Sequence, residues 1–138
     1  MSQTSSEIAR TVLATEAQAL TRLAEELPPA FDDIIALLLH INGRIIVSGM
    51  GKSGHVAGKI AATLASTGAP AQVVHPGEAS HGDLGMITPE DVVILISNSG
   101  ETRELADMIA HCARFSIPMI AMTRRADSTL ARSATHVL

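Results

Sequence analysis

Aromatic side chains are almost missing from this 138-residue sequence: it has two phenylalanines, Phe31 and Phe115, and no tyrosine or tryptophan. Single-stranded nucleic-acid binding leans on base–aromatic stacking, so that class is disfavoured at once. Positive charge is scarce too. Ten lysines and arginines face fourteen aspartates and glutamates, for a net charge of −4, and there is no basic block. A nucleic-acid footprint is therefore not expected. Cysteine occurs once, as Cys112, so no internal disulfide can form and a reducing compartment fits. No apolar run approaches membrane-span length, and the N-terminus lacks the charged-then-apolar pattern of a secretory signal. The expectation is a cytoplasmic protein with no membrane partner.

Hydrophobic residues make up 46% of the chain and charged residues 17%, a balance that favours a packed core over disorder. The length suffices for one domain. Without aromatics, that core must be built from Ala, Ile, Leu, Val and Met. Apolar residues recur at helical spacing from Ser6 to Glu26 (Ile8, Val12, Leu13, Ala17, Leu20, Leu23, Ala24), with Thr4 or Ser6 as the cap. Pro28-Pro29 ends that helix. A second helix spans about Pro29 to Ile41, and Asn42-Gly43 reads as its left-handed C-cap. The first helix carries an apolar stripe that fits either a partner subunit or the protein's own sheet.

Strands and helices then alternate. The pattern predicts strands at Arg44–Ser48, Ala71–Val74, Val92–Ser97 and Met119–Met122, with a fifth beginning at His136. It predicts helices at Gly54–Thr67, Thr102–Phe115 and Ser128–Ser133, and a polar loop over 75–85. Such alternation means βαβ units and a parallel sheet with right-handed crossovers. The expected fold is an α/β three-layer sandwich with a flavodoxin-like parallel sheet, preceded by two N-terminal helices. Residues 1–42 read as a helical arm and 43–138 as the domain. The chain stops as a fifth strand begins, so the domain reads as C-terminally incomplete.

The chain is organised around Arg44 to Gly54. Apolar Ile45-Ile46-Val47 gives way to Ser48-Gly49-Met50-Gly51-Lys52-Ser53-Gly54 and then to a small-residue helix. This pattern reads as a buried strand, a tight turn and a helix N-terminus, where free N–H groups and the helix dipole suit an anion. Ser48, Gly49 and Ser53 line that spot. Gly49, Gly51 and Gly54 also fit G-x-G-x-x-G, the dinucleotide fingerprint. That reading wants an acid roughly 20 residues on, at the end of the second strand. Here the strand ends Val73-Val74-His75-Pro76, and the nearest carboxylate, Glu78, lies beyond the proline. Gly51-Lys52-Ser53 resembles the end of a P-loop, but Ile46 stands where its first glycine belongs. A turn serving only strand–helix packing is the plain alternative.

In a doubly wound sheet, ligands bind outside the C-terminal strand ends. Two further loops are expected there. Ser97-Asn98-Ser99-Gly100-Glu101-Thr102 follows five apolar residues and opens a helix. Its hydroxyls, amide and backbone N–H groups make a phosphate cradle, in more polar residues than capping needs. His75 to Asp83 brings His75, His81, Glu78 and Asp83 to the same rim. Two histidines alone make no zinc site, which usually has three or four ligands.

Gly49–Gly54, Ala62–Pro70, His75–Gly85 and Ser97–Glu101, taken together and in this order, resemble the sugar isomerase (SIS) domain, and more closely the KpsF/GutQ group of arabinose-5-phosphate isomerases. The resemblance implies interconversion of D-arabinose 5-phosphate and D-ribulose 5-phosphate, a step toward the Kdo sugar of lipopolysaccharide, by a homo-oligomer, a dimer or more often a tetramer. It implies that Lys52 and Glu104 are catalytic. His75 would stand at a position able to bind zinc, although no cofactor is required. His81, with the pair Gly68-Ala69, would touch substrate. Ala69 departs from the family's usual threonine. A second catalytic glutamate, a catalytic histidine and paired CBS domains lie, in the family, beyond the point where this chain stops. The chemistry agrees: an aldose–ketose shift needs a base and a donor for an oxyanion. Glu104 is the candidate base, with Glu101 second, and Lys52 the stabiliser. A first-turn glutamate favouring the helix dipole and a solvated lysine are the plain alternatives. Two other functions remain open. One is a non-catalytic sugar-phosphate sensor, although residues 1–42 lack the basic charge of a DNA-binding helix-turn-helix. The other is an NAD-binding dehydrogenase domain, disfavoured by the missing acid.

Overall fold

The computed structural model of the chain describes residues 3–138. Helix α1 (Ser5–Glu25) opens with a capping box. The Thr4 hydroxyl accepts from the Glu7 amide, and the Glu7 carboxylate accepts from the Thr4 amide at 2.7 Å. No residue of α1 is buried. Helix α2 (Phe31–His40) follows the prolines and buries Ile34. The expected left-handed cap after it does not form: Ile41 is extended, and neither Asn42 nor Gly43 has a positive φ. Gly43 answers a different constraint. A Cβ there would lie 2.5 Å from the Glu90 carbonyl oxygen, to which Gly43 N–H donates.

Five strands form one parallel sheet in the order β2-β1-β3-β4-β5. They are β1 (Ile45–Gly49), β2 (Ala71–Val73), β3 (Val92–Ile96), β4 (Met119–Met122) and β5 (His136–Val137). This is the flavodoxin-like order that the alternation predicts. Side chains along each strand alternate between two apolar layers, as the pleat requires. Ile45, Val47, Val92, Ile94 and Ile120 face the layer under α2 and α3 (Lys52–Ser66). Ile46, Val93, Leu95, Met119 and Ala121 face the layer under α4 (Pro76–Ser80), α5 (Ala106–Phe115) and α6 (Thr129–Ser133). Burial on both faces explains why the strands read as continuous apolar runs. Each fully buried Ile or Val contributes about 1.5–3 kcal/mol. Helix α2 packs into this core through Ile34, Leu37 and Leu38, whereas α1 does not.

Asp91 pins the N-terminal ends of β1 and β3. Its side chain is 2% exposed and accepts from Arg44 N at 2.7 Å and Thr88 N at 2.8 Å, and from the Thr88 hydroxyl at 3.1 Å. Burial alone would raise its pKa, but the hydrogen bonds from Thr88 and Arg44 outweigh it and hold the carboxyl below the usual aspartate value. Asp91 therefore stabilises the fold above its unfolded pKa, and that contribution fades as pH falls through the lower folded value. Asp91→Ala leaves two amides without acceptors, so it should cost about 2–4 kcal/mol, read by urea unfolding at pH 7. The difference from wild type should shrink in acid.

Candidate functional site

Three neighbouring strands release their chains at one edge of the sheet. Gly49 at the end of β1 pairs with Ile96 at the end of β3, and Val47 pairs with Val73 in β2. The segments 49–53, 74–81 and 97–102 therefore emerge side by side, with the segment after β4 next to them. This gathers Ser48, Gly49, Lys52, Ser53, His75, His81 and the Ser97–Thr102 loop on one rim, as expected. Gly68 and Ala69 are not among them. They follow α3 and precede β2, at the opposite end of the sheet, where Pro70 O accepts from Ile45 N. Gly68 serves there to end α3, with φ +95° and its amide donating to Ala65 O.

The first turn is tight for a steric reason. A Cβ on Gly49 would lie 2.9 Å from Ser53, and one on Gly54 2.7 Å from Gly49 O. Gly51 adopts φ +56° and lets α3 start at Lys52, earlier than the sequence reading placed it. No side chain among the described residues caps this fifteen-residue helix, so its positive end faces the rim. Lys52 is exposed on the first turn and Ser53 half-buried. Ser48 is fully buried and its hydroxyl has no hydrogen-bond partner among the described residues. At the end of β2 there is no acid. Glu78 sits exposed on α4, in a stretch whose sequence predicts a polar loop, so the ribose contact of a dinucleotide site has no residue at the strand end.

The second loop is held mostly by its own hydroxyls. Ser97, 2% exposed, pairs its hydroxyl with that of Thr102 at 2.7 Å and accepts from Gly100 N at 3.0 Å. The Ser99 hydroxyl accepts from Glu101 N at 3.2 Å. Asn98 and Ser99 are exposed. The helix expected from Thr102 begins instead as a 3-10 turn, Arg103–Leu105, and becomes α5 at Ala106. Leu105 is buried and anchors that turn, leaving Glu104 exposed. Glu101 faces elsewhere: its carboxylate accepts from Thr129 N at 2.7 Å and from the Thr129 hydroxyl at 2.8 Å. Those two bonds, the amide first, with Arg132 and Arg125 nearby, hold its pKa below the usual glutamate value. A hollow of about 300 Å³ lies beside the loop, lined by Gly100, Thr102, Ala106, Ile109 and Thr129.

His75 caps α4, its Nδ1 accepting from Gly77 N at 3.1 Å. Only Nε2 would remain to hold a metal. His81 follows α4 and is exposed. Helix α4 packs against the 103–105 turn and α5. Among the described residues no three His, Cys, Asp or Glu side chains converge. Structural zinc usually takes three or four ligands, and His75 has no two such neighbours among the described residues. Thr129 is the site's unforeseen member. The Ser128-Thr129 cap signal marks it as a helix start, but nothing local links it to Glu101.

The SIS domain family matches residues 37–138. The chain belongs to the SIS domain family. Over 123 residues it is 50% identical to arabinose 5-phosphate isomerase KdsD of Escherichia coli O157:H7, covering 89% of this chain and 38% of that one. The SIS chain thus spans well under half of that relative. Its fold superposes on an E. coli CFT073 protein solved in complex with arabinose 5-phosphate, with a TM-score of 0.88 and 37% identity over 98% of this chain and 73% of that one. The sugar isomerase domain of an RpiR transcription factor from Sphaerobacter thermophilus is similar as well, with a TM-score of 0.83 and 26% identity over 96% of this chain and 74% of that one. No helix among the described residues of the SIS chain is long and apolar enough to cross a membrane.

The rim's most constrained position is Gly100. It has φ +67°, and a Cβ would lie on the buried Ser128 side chain. Gly100→Ala should cost about 1–3 kcal/mol, read by urea unfolding. Gly58→Ala, in open space on α3 with no positive φ, should instead be neutral or stabilising by up to about 1 kcal/mol.

Proposed function

We propose that this SIS domain binds a pentose phosphate and forms part of an aldose–ketose isomerase that interconverts D-arabinose 5-phosphate and D-ribulose 5-phosphate, a cytoplasmic step toward Kdo and lipopolysaccharide. The supporting observation is the pairing, on adjacent strands, of the uncapped N-terminus of α3, where Lys52 sits, with the hydroxyl-rich Ser97–Thr102 loop. The loop donates to the phosphoryl oxygens through Ser97, Ser99, Thr102 and Asn98, at a site with little fixed positive charge of its own. Ser48, Gly49 and Ser53 complete that side. His81 reaches the sugar from the end of α4. Gly68 and Ala69, at the opposite end of the sheet, stay outside this proposed site.

In the reaction, a base takes the proton from C2 of the aldose, and the electrons of the C–H bond form the C1–C2 double bond of an enediolate while negative charge moves onto O1. The proton returns to C1 and the O2 proton passes to O1, giving the ketose with no net loss of atoms or electrons. Glu104 is the base and Lys52 stabilises the oxyanion. The step needs no electron acceptor, so no cofactor is invoked.

The same fold supports a sensor that binds the sugar phosphate without turning it over, a reading favoured by the likeness to the RpiR domain. The two separate on one readout. A melting-temperature panel should show stabilisation by arabinose 5-phosphate and ribulose 5-phosphate and none by NAD. Exchange of the C2 proton with deuterated solvent, followed by NMR, should occur for the isomerase and not for the sensor. Lys52→Ala should slow exchange by about 10²-fold or more. Ser97→Ala with Ser99→Ala should weaken phosphate binding about tenfold. Stabilisation by NAD alone would sink the proposal.

The proposal includes a homo-oligomer. Ile8, Val12, Leu13, Leu20 and Leu23 are each at least half exposed on a 21-residue helix that buries nothing. A helix gains most of its stability by packing its apolar face, and a second copy of the chain supplies that cover. Light scattering should report a dimer or tetramer, and Leu13→Asp with Leu20→Asp should reduce it to monomer. A monomeric wild type would refute this part.

A further inference from the structure

We propose that Glu101 is a positioning residue, not a proton carrier: it clamps the Ser97–Thr102 loop to α6 and so holds the loop in its phosphate-binding shape. The inference rests on the sugar-phosphate reading of that loop. Glu101 stands in the loop's polar run and was open to two roles, as a base or as a ligand contact. Its geometry assigns a third. Both carboxylate oxygens are occupied, one by Thr129 N at 2.7 Å and one by the Thr129 hydroxyl at 2.8 Å. With both oxygens docked on one residue, the carboxylate is held at the start of α6. Its protonation is also opposed, because the same bonds favour the ionised form.

Two further contacts bind the same pair of segments. Leu130 N donates to Gly100 O at 3.1 Å. Gly100 sits so close to the buried Ser128 that no larger residue fits between them. Ser128 in turn caps α6, accepting from Ala131 N at 3.2 Å. The loop is therefore held by the start of α6, while its own hydroxyls close it internally. Of these ties, the Glu101 clamp is the one with a charged partner, a charge-assisted pair of hydrogen bonds. The docked Glu101 adds to the loop's internal bonds in keeping the Ser97 and Ser99 hydroxyls and the amides of Gly100 and Glu101 in place.

The test compares Glu101→Ala, Glu101→Gln, Thr129→Val and the Glu101→Ala/Thr129→Val pair. Two readouts are taken. One is amide hydrogen exchange at Thr129 and Leu130 without ligand. The other is affinity for arabinose 5-phosphate and for inorganic phosphate by calorimetry. Glu101→Ala should speed exchange at Thr129 and weaken both ligands about tenfold. Glu101→Gln keeps an acceptor for Thr129 N and a donor for its hydroxyl, so it should stay within about threefold of wild type. The pair of changes should weaken binding no more than Glu101→Ala alone, because both remove one interaction. Gln falling as far as Ala would overturn the proposal in favour of a charge acting on substrate. So would additive losses in the pair, or Glu101→Ala exchanging and binding like wild type. Should Glu101→Ala fail to fold, Glu101→Gln and Thr129→Val decide the matter by the same criteria. A wild type that binds neither ligand would refute the sugar-phosphate reading instead, and the exchange data would still judge the clamp.

Discussion

The parallel pairing of β1 with β3 is the constraint on which the rest depends. It runs from Ile45 with Val92 to Gly49 with Ile96, and every residue of β1 is buried. A parallel pair cannot be joined by a hairpin, so each strand must return through a crossover. Right-handed crossovers then place helices on both faces and send every strand out at the same edge. The rim is therefore a consequence of topology before it is a consequence of any polar residue. Two loops that are far apart in sequence meet because their strands are neighbours, and the sheet order reverses at β1.

What the rim can do follows from how its polar groups are engaged. Ser97 and Thr102 satisfy one another, and Ser99 satisfies a loop amide. These bonds cost the loop little to keep, and a phosphoryl oxygen can join them as an additional acceptor of hydroxyl protons. The first turn of α3 has no side-chain cap, and its Ser53 and Gly54 amides share the single Met50 carbonyl at 3.1 and 3.4 Å, so this helix end favours an anion. Lys52 adds a mobile full charge beside them. The division is thus between a rigid neutral cradle on β3 and a charged, open turn on β1. That division suits a ligand whose phosphate is fixed at one end and whose reacting carbons lie at the other.

The sheet was legible because burial on both faces leaves unbroken apolar runs: β4 lies where the sequence reading put it, and β1 is displaced by one residue. Helix α3 begins earlier than expected because Gly51 takes a positive φ that only the three-dimensional turn discloses. Helix α4 was read as loop because it is five residues long and contains a glycine. Its signal was present in Pro76 behind a capping His75. Asn42-Gly43 carried the composition of a helix cap, yet Gly43 is there to let Glu90 approach. The Glu101–Thr129 contact spans 28 residues and two elements. No local pattern encodes it, since both residues already look like ordinary members of separate helix starts.

The likenesses to a domain solved with arabinose 5-phosphate and to one from a transcription factor, at TM-scores of 0.88 and 0.83, mean that backbone alone does not separate enzyme from sensor. The separation must lie in side chains that face the reacting carbons. In the proposed reaction those are Lys52 and Glu104, each placed at the start of a helical turn, where the backbone would tolerate many other residues. Neither is needed for packing, as both are exposed. The fold does not require them, whereas Leu105 beside Glu104 is fully buried and anchors the turn. On the proposed reading, a lysine and a glutamate that packing does not require are explained by action on a ligand, and a sensor that only encloses its sugar has no comparable use for a base there.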